Sequence, residues 1–323
     1  MATRKKTAAR PILSLDDLDA AGIGLGWQPM VQAQEVAPVA PAEPEKPSVA
    51  RRIGDTAVQF GQGAVTGVKM MADVFGANNT VSRGLGDVNQ ALDGLLSATA
   101  QGDKQKVAQI MQEAEGKGWG EQIVAGLKAA GVDPVGLAAN ALGTSLPTMA
   151  TMLIPGAGPA SVAARMGAGV AMGAGQGVGS VKGQIYDETK RKWLEGGATP
   201  EQAEAKAQEA AAYGGQNTDQ IALGGALGMA SVLGAERALG KVLHGSSKAG
   251  PGMLGRVSTS TVAETGTGAA QGGQEKYASN LALNRQGFDV DPMSGVIANA
   301  TLEGAAAAPM GAVAGIPRPA VVA

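Results

Sequence analysis

The chain of 323 residues carries 26 basic and 28 acidic side chains, 50 glycines, three each of Trp, Tyr and Phe, one His and no Cys. Without cysteine there is no disulfide framework, no thiolate nucleophile and no Cys-ligated zinc or iron–sulfur cluster. The lone His244 leaves little for metal or acid–base chemistry, and a net charge of −2 gives no global electrostatic claim on nucleic acid.

Residues 1–30 form a basic tail in which Arg4, Lys5, Lys6 and Arg10 precede no apolar run, so it lacks the form of a secretory signal. Ser14 and Asp17 suit the cap of one short helix bearing Ile12, Leu15 and Leu18, ended by Gly22, Gly24 and Gly26. A docking peptide is one reading; a disordered arm with a transient turn is the plainer one. In residues 31–50, Pro38, Pro41, Pro44 and Pro47 recur every third residue, as in the three-residue turn of polyproline II. That composition suits a semi-rigid spacer, with an SH3-type ligand as the sharper alternative.

From Arg51 onward helix signals recur, and no sustained period-two alternation marks a strand. The expected fold is all-α: an elongated or multi-hairpin protein of Ala/Gly-packed helices, with a first helical region over 51–132 and a Gly/Ala-rich, weakly apolar one over 133–323. Its core must come from Ala, Val, Leu, Ile and Met, because aromatics, the largest buriers of area, are scarce. Val107, Ile110, Met111 and Ala114 predict a helix over Asp103 to Glu115, and Ile123 with Leu127 one over Trp119 to Ala130, stopped by Gly131. These two are expected to pair antiparallel. Asp133-Pro134 and Asp291-Pro292 each place an acidic N-cap before a proline at the first helical position. Ser161 to Glu195 predicts a helix of about 50 Å if its glycines do not bend it. Thr199, Pro200 and Gln202 make a capping box for Pro200 to Tyr213, which ends at Gly214-Gly215. A weak echo relates Gly173–Gly197 to Gly266–Gly287, either as related hairpins or as a by-product of biased composition.

Pro134 to Val181 contains a single ionisable side chain, Arg165. The length suffices for a bilayer span, but Asn140, Thr144, Ser145, Pro147, Thr148 and the many glycines make insertion marginal, so membrane affinity is expected to be conditional. Gly169, Gly173 and Gly177 form one four-residue ladder, Gly175, Gly179 and Gly183 a second; Gly224 with Gly228, and Gly268 with Gly272, repeat the spacing. Such ladders let helix backbones touch, whether in lipid, where close approach replaces apolar burial, or in a soluble bundle with tight crossings. Beyond them stand Tyr186, Lys190, Arg191, Lys192 and Trp193. Cations beside aromatics suit a headgroup interface, and equally phosphate contact with base stacking, or a solvated helix end with cations at the negative pole of its dipole.

Catalytic chemistry finds little support. Glu264 and Glu303, each flanked by small residues, are the nearest to a carboxylic acid in an apolar setting, without sugar-stacking aromatics around them. Gly167 to Gly179 lacks the following Lys-Ser/Thr of a phosphate loop. No cofactor or metal is expected. His244 before Gly245 suits a helix-end cap.

Leu142-Gly143-Thr144-Ser145-Leu146-Pro147, Pro155-Gly156-Ala157-Gly158, Ile185-Tyr186-Asp187 and Thr199-Pro200-Glu201-Gln202-Ala203 resemble segments of the internal virion proteins of short-tailed bacteriophages, their DNA-ejection proteins. So do Ala270-Gln271-Gly272-Gly273-Gln274-Glu275, Asn280-Leu281-Ala282 and the run from Gly295-Val296 to Gly304. The likeness spans roughly residues 51 to 315 and is one of style more than signature. It implies storage in the capsid, release through the tail, and assembly with partner proteins (itself and other internal, portal or tail proteins) into a conduit across the host envelope; the residues themselves add conditional lipid contact and leave non-specific DNA contact open. Larger members carry a peptidoglycan-cleaving domain, for which this chain shows no motif. The alternatives are a bacterial membrane-associated or pore-forming effector and, more remotely, a non-catalytic fragment of a larger peptidoglycan hydrolase.

Overall fold

The computed structural model describes residues 47–151, 159–243 and 253–314. The expected N-terminal arm, Pro38, Pro41, Pro44, Pro155-Gly156-Ala157-Gly158, His244 and the side chain of Glu264 lie outside what is described. Among the described residues the fold is all-α. Eleven helices follow in order: α1 Val49–Asp73, α2 Thr80–Asp93, α3 Ala98–Ala114, α4 Trp119–Val132, α5 Pro134–Thr144, α6 Leu146–Ala150, α7 Pro159–Glu195, α8 Pro200–Ala210, α9 Thr218–Leu243, α10 Met253–Arg285 and α11 Val296–Ala314.

Five starts are set by short polar side chains that satisfy orphan N–H groups of the first turn. Ser48 accepts from Arg51 N, Asn79 from Val81 and Ser82 N, and Asp133 from Gly136 N. Thr199 and Gln202 form the expected reciprocal box, with Thr199 Oγ1 accepting from Gln202 N at 3.3 Å. Helix α3 begins earlier than its apolar pattern suggests, because Ser97 caps Ala100 N and is itself anchored by the Asp55 carboxylate. Helix α4 runs through Gly131 to Val132, so that glycine is no stop; the break comes at Asp133, which leaves the helical region to cap α5. Asp291-Pro292 makes only a turn: Asp291 Oδ1 accepts from Met293 N, and Gly295 at φ +69 ends the turn before α11. Helices α7 and α10, the two halves of the sequence echo, end alike. Gly197 (φ +85) and Gly287 (φ +90) take the left-handed position while Ala198 N and Phe288 N reach back five residues to Trp193 O and Leu283 O.

Helix α7 is continuous over 37 residues and meets α1, α8, α9 and α10. Helix α1 also packs on α2 and α5, and α4 packs on α11, so contacts run across residue 133. The apolar core lies around the second half of α7: Val181, Ile185 and Tyr186 meet Ala207, Ala210 and Ala211, Ile221, and Ala278 with Ala282.

On α1 and α4 the usual partition is reversed. Helix α1 turns Asp55, Gln59, Gln62, Gly63, Gly67 and Asp73 inward, while Val49, Ile53 and Val68 are exposed. The buried polar groups work as clips: Gln59 donates to Asp133, Gln62 donates to Asp93, and Ser97 donates to Asp55. Helix α4 buries Gln122, Gly126 and Ala129 and exposes Trp119, Ile123 and Leu127. The apolar residues whose spacing predicts this helix thus lie on its outward face. Gly126 seats the helix directly on Ala298 and Thr301 of α11, an approach a bulky residue prevents.

Candidate functional site

The two glycine ladders of α7 face two different neighbours. In the first, a Cβ placed on Gly173 would lie 2.5 Å from Gly228 O and from a methyl of Val232, and one on Gly177 would strike Gly224 O; Gly169 is buried on the same helix. Gly224 and Gly228 return the contact, meeting Gly177 O and Gly173 O. Two ladders legible in sequence are thus each other's partners, and α7 and α9 touch backbone to backbone. In the second ladder, a Cβ on Gly175 would lie 2.9 Å from the Met71 side chain, one on Gly179 would strike Met70 O, and one on Gly183 would lie 3.3 Å from Asp73 Oδ2. This ladder belongs to α1. Gly268 and Gly272 serve the α10–α11 crossing, against Glu303 and Ala307.

Sequence reading missed one ladder of the same kind. Gly63 and Gly67 of α1 meet the Asn140 and Thr144 carbonyls of α5, and Gly143 reciprocates against Phe60 O. The four-residue spacing of Gly63 and Gly67 was the available signal.

Where the second ladder ends, a polar node joins four segments. Tyr186 is buried, and its hydroxyl donates to Glu204 of α8. Asn78, just beyond α1, donates to Tyr186 Oη at 2.6 Å and Glu204 Oε1 at 3.1 Å, from a left-handed backbone (φ +56) that Asn tolerates better than most residues. Lys190 donates to Glu204 at 2.8 Å. Lys182, also buried, donates to Val74 O at 3.2 Å beneath the Tyr213 ring, whose centroid lies 3.7 Å from Nζ and whose hydroxyl bonds the same carbonyl. Asp73 accepts from Lys69 and Ser82 alongside. Burial and the bond to Glu204 push the Tyr186 hydroxyl up to about 12. At Glu204 burial alone would raise the carboxyl, but hydrogen bonds from Lys190, Tyr186, Asn78 and Gln208 outweigh it and hold the group at about 2. Desolvation lowers Lys182, against the pull of Asp73.

The remaining residues of the expected interface cluster are engaged within the fold. Arg191 pairs with Glu188 and with Glu195 at 2.5 Å, and Lys192 with Glu195 at 3.1 Å. Trp193 meets Phe288 edge-on at 5.4 Å and donates its indole N–H to Gln286 at 2.6 Å. In this packed state Tyr186 is interior, and carboxylates answer all three cations.

A second polar site sits between α10 and α11. Glu275 is buried and accepts from Gln184 at 2.7 Å and Gln271 at 3.0 Å. Burial raises its carboxyl. Glu303 packs over Gly272 with its residue exposed; crowding by the neighbouring helices and the charge of Glu275 raise its carboxyl. Among the described residues no group of three or more His, Cys, Asp or Glu is arranged to hold a metal ion. No described helix is long and apolar enough to cross a membrane. Comparison with protein-family models, with curated proteins and with solved structures found no match.

Proposed function

We propose that this chain is a non-enzymatic structural protein of a phage virion, stored in the capsid and ejected to help form an oligomeric conduit for genome delivery across the host envelope. The observation that carries the reading is the pairing of the α7 ladder with that of α9. A protein that leaves through a narrow channel has to unfold at little cost and find a packed state again afterwards. Backbone-to-backbone crossings bury little apolar area, so undoing them costs little, and their fit is generic enough to be re-formed with another helix. Buried glutamines and carboxylates add to this, since their hydrogen bonds exchange for water on opening with small net loss. On release, Tyr186, Lys190, Arg191, Lys192 and Trp193 become free for a headgroup interface or for phosphate.

The test is mass spectrometry of purified virions before and after ejection is triggered. The chain is expected in filled particles and depleted from emptied ones; a chain that never copurifies with capsids refutes the proposal. That outcome favours a second reading, a membrane-associated or pore-forming effector. Its support is the outward face of α4, where Trp119, Ile123 and Leu127 stand exposed at helical spacing.

A further inference from the structure

Helices α1 and α2 turn polar residues toward each other and leave an apolar stripe outside. Ser82 of α2 donates to Asp73, Asn89 donates to Thr66, and Asp93 accepts from Gln62 of α1. The apolar residues Val81, Leu85, Val88, Leu92 and Leu95 follow at steps of four, three, four and three. This is the spacing of a helix that supercoils with other helices, with Leu85 and Leu92 at a and Val81, Val88 and Leu95 at d. Leu95 stands just past α2, and Gly94 keeps a right-handed helical backbone that carries the turn on to it. Val81, Val88 and Leu95 are 62%, 47% and 59% exposed, and Leu85 and Leu92 are half-buried. On α1 the matching stripe is Ile53, Ala57, Phe60, Ala64 and Val68, with Ile53, Phe60 and Val68 exposed. The two stripes lie side by side. The helices run antiparallel, with Arg51 donating to Leu95 O at 2.9 Å near one end and Ser82 bonding Asp73 near the other. Between these ends a Cβ on Gly61, next to Phe60, would lie 3.9 Å from a methyl of Leu92.

We propose that this patch is a self-pairing surface, on which a second copy of the chain sets its own α1 and α2 about a twofold axis to make a four-helix interface. Among the described residues nothing covers it. Its size suits a protein: the large exposed side chains leave on the order of 100 Å² each, so that with the residues between them the patch comes to roughly the 800 Å² per partner of a stable pair, beyond what a monomer usually leaves open. Its pattern suits helices. Leucine at a with β-branched Val81 and Val88 at d favours more than two of them, which two copies of α1 and α2 supply. Its charge suits an identical partner. In coiled coils the flanking e and g positions choose the partner by charge; here e holds Ser82 and Asn89, already spent on α1, and g holds Gly84 and Ala91. No charge on the seam repels its own copy or calls for an opposite one, and a net charge of −2 adds little repulsion. A lipid surface would draw on cations along the apolar face, whereas Arg51 and Lys69 of α1 pair with Asp55 and Asp73. The patch names where one copy meets the next in the oligomer proposed above, and it rests on that reading for its use alone.

Sedimentation of the full chain over a range of concentrations tests it. The wild type is expected to pair below roughly 100 μM. Val81→Glu combined with Val88→Glu, both at exposed positions, is expected to weaken pairing at least roughly tenfold with the helical circular dichroism retained, and Val124→Glu, on the exposed face of α4, to leave it unchanged. Hydrogen exchange of the unmodified chain gives the same answer without a substitution: raising the concentration is expected to slow amides of residues 81–95 and leave those of 119–127 as they were. A chain that stays monomeric up to about 100 μM, even one that binds lipid vesicles, overturns the proposal. So does pairing that Val124→Glu weakens as much as the α2 substitutions do, or protection that grows at 119–127 in place of 81–95. None of these outcomes touches copurification with capsids, by which the proposed role stands or falls separately.

Discussion

At Gly177 of α7 a single added methyl group decides whether two helices fit. Its Cβ would strike the Gly224 carbonyl, which is backbone and has nowhere to go. Overpacking of this kind costs about 1–3 kcal/mol. Gly177→Ala is therefore expected to lower the urea midpoint by a corresponding amount, and Gly177→Leu to abolish the α7–α9 crossing. Gly167, on the same helix, has open space where a Cβ would stand. There the removal of unfolded-state freedom dominates, and Gly167→Ala is expected to stabilise by roughly 0.5–1 kcal/mol. The contrast separates contact from propensity, since both substitutions change propensity equally. If Gly177→Ala unfolds no earlier than Gly167→Ala in urea, the crossing is not as tight as described. Thr199→Ala supplies a third residue-scale check: loss of the cap on α8 is expected to cost about 1 kcal/mol, read as a lower thermal midpoint, while Thr199→Ser retains it.

Pairs of helices carry the pH response, and two of them have opposite signs. Glu204, bound into the α7–α8 node, is lowered to about 2 in the folded state. Below its ordinary value the unfolded chain takes up a proton that the folded one refuses, so this stability is present above about pH 4.5 and is lost as pH falls through 2. Glu303, exposed at the α10–α11 crossing near Glu275, is raised. Here the folded state keeps the proton longer, so stability present below about pH 4.5 is lost as pH rises above it. Urea midpoints measured across this range are expected to peak near pH 4.5–5, and Glu303→Gln is expected to flatten the alkaline side alone. A wild-type midpoint that rises steadily from pH 5 to 7.5 contradicts the assignment. Capped starts such as Thr199 and Asp133, and the ladders of α7 and α9, were legible because caps and four-residue spacing are local in sequence. Which ladder meets which neighbour was not, since glycine carries no mark of its partner. Which face of α4 packs was not legible either, because periodicity gives the direction of an apolar stripe but not whether it points in, and here Gln122 and Gly126 took the interior. Of the node, Tyr186 and Lys190 were marked in sequence as an interface, but their partners were not: Asn78 and Glu204 meet across 126 residues and belong to no motif.

Taken as a whole, the described bundle buries polar groups and small residues where most proteins bury large apolar ones. Asp55, Gln59, Gln62, Asp73, Gln122, Lys182, Asn217, Gln220, Gln274 and Glu275 are inside, while Val49, Ile53, Phe75, Trp119 and Leu127 are outside. Heat capacity is the quantity most sensitive to that exchange. Apolar surface exposed on unfolding raises it by about 0.45 cal/K/mol/Å² and polar surface lowers it by about 0.26, for a usual sum of about 12–15 cal/mol/K per residue. With buried apolar side chains that are mostly alanine and with many polar groups inside, the first contribution shrinks and the second grows. Differential scanning calorimetry is therefore expected to give a value per helical residue below that range, with a correspondingly flat stability curve. A flat curve means that cooling or warming changes the cost of opening little, and a small apolar contribution means that the opened chain offers little surface for irreversible collapse. Both suit a protein that must come apart and reassemble. A heat capacity at or above the usual value would mean that the core is larger than its aromatic-poor composition permits, and that cheap unfolding has lost its physical basis.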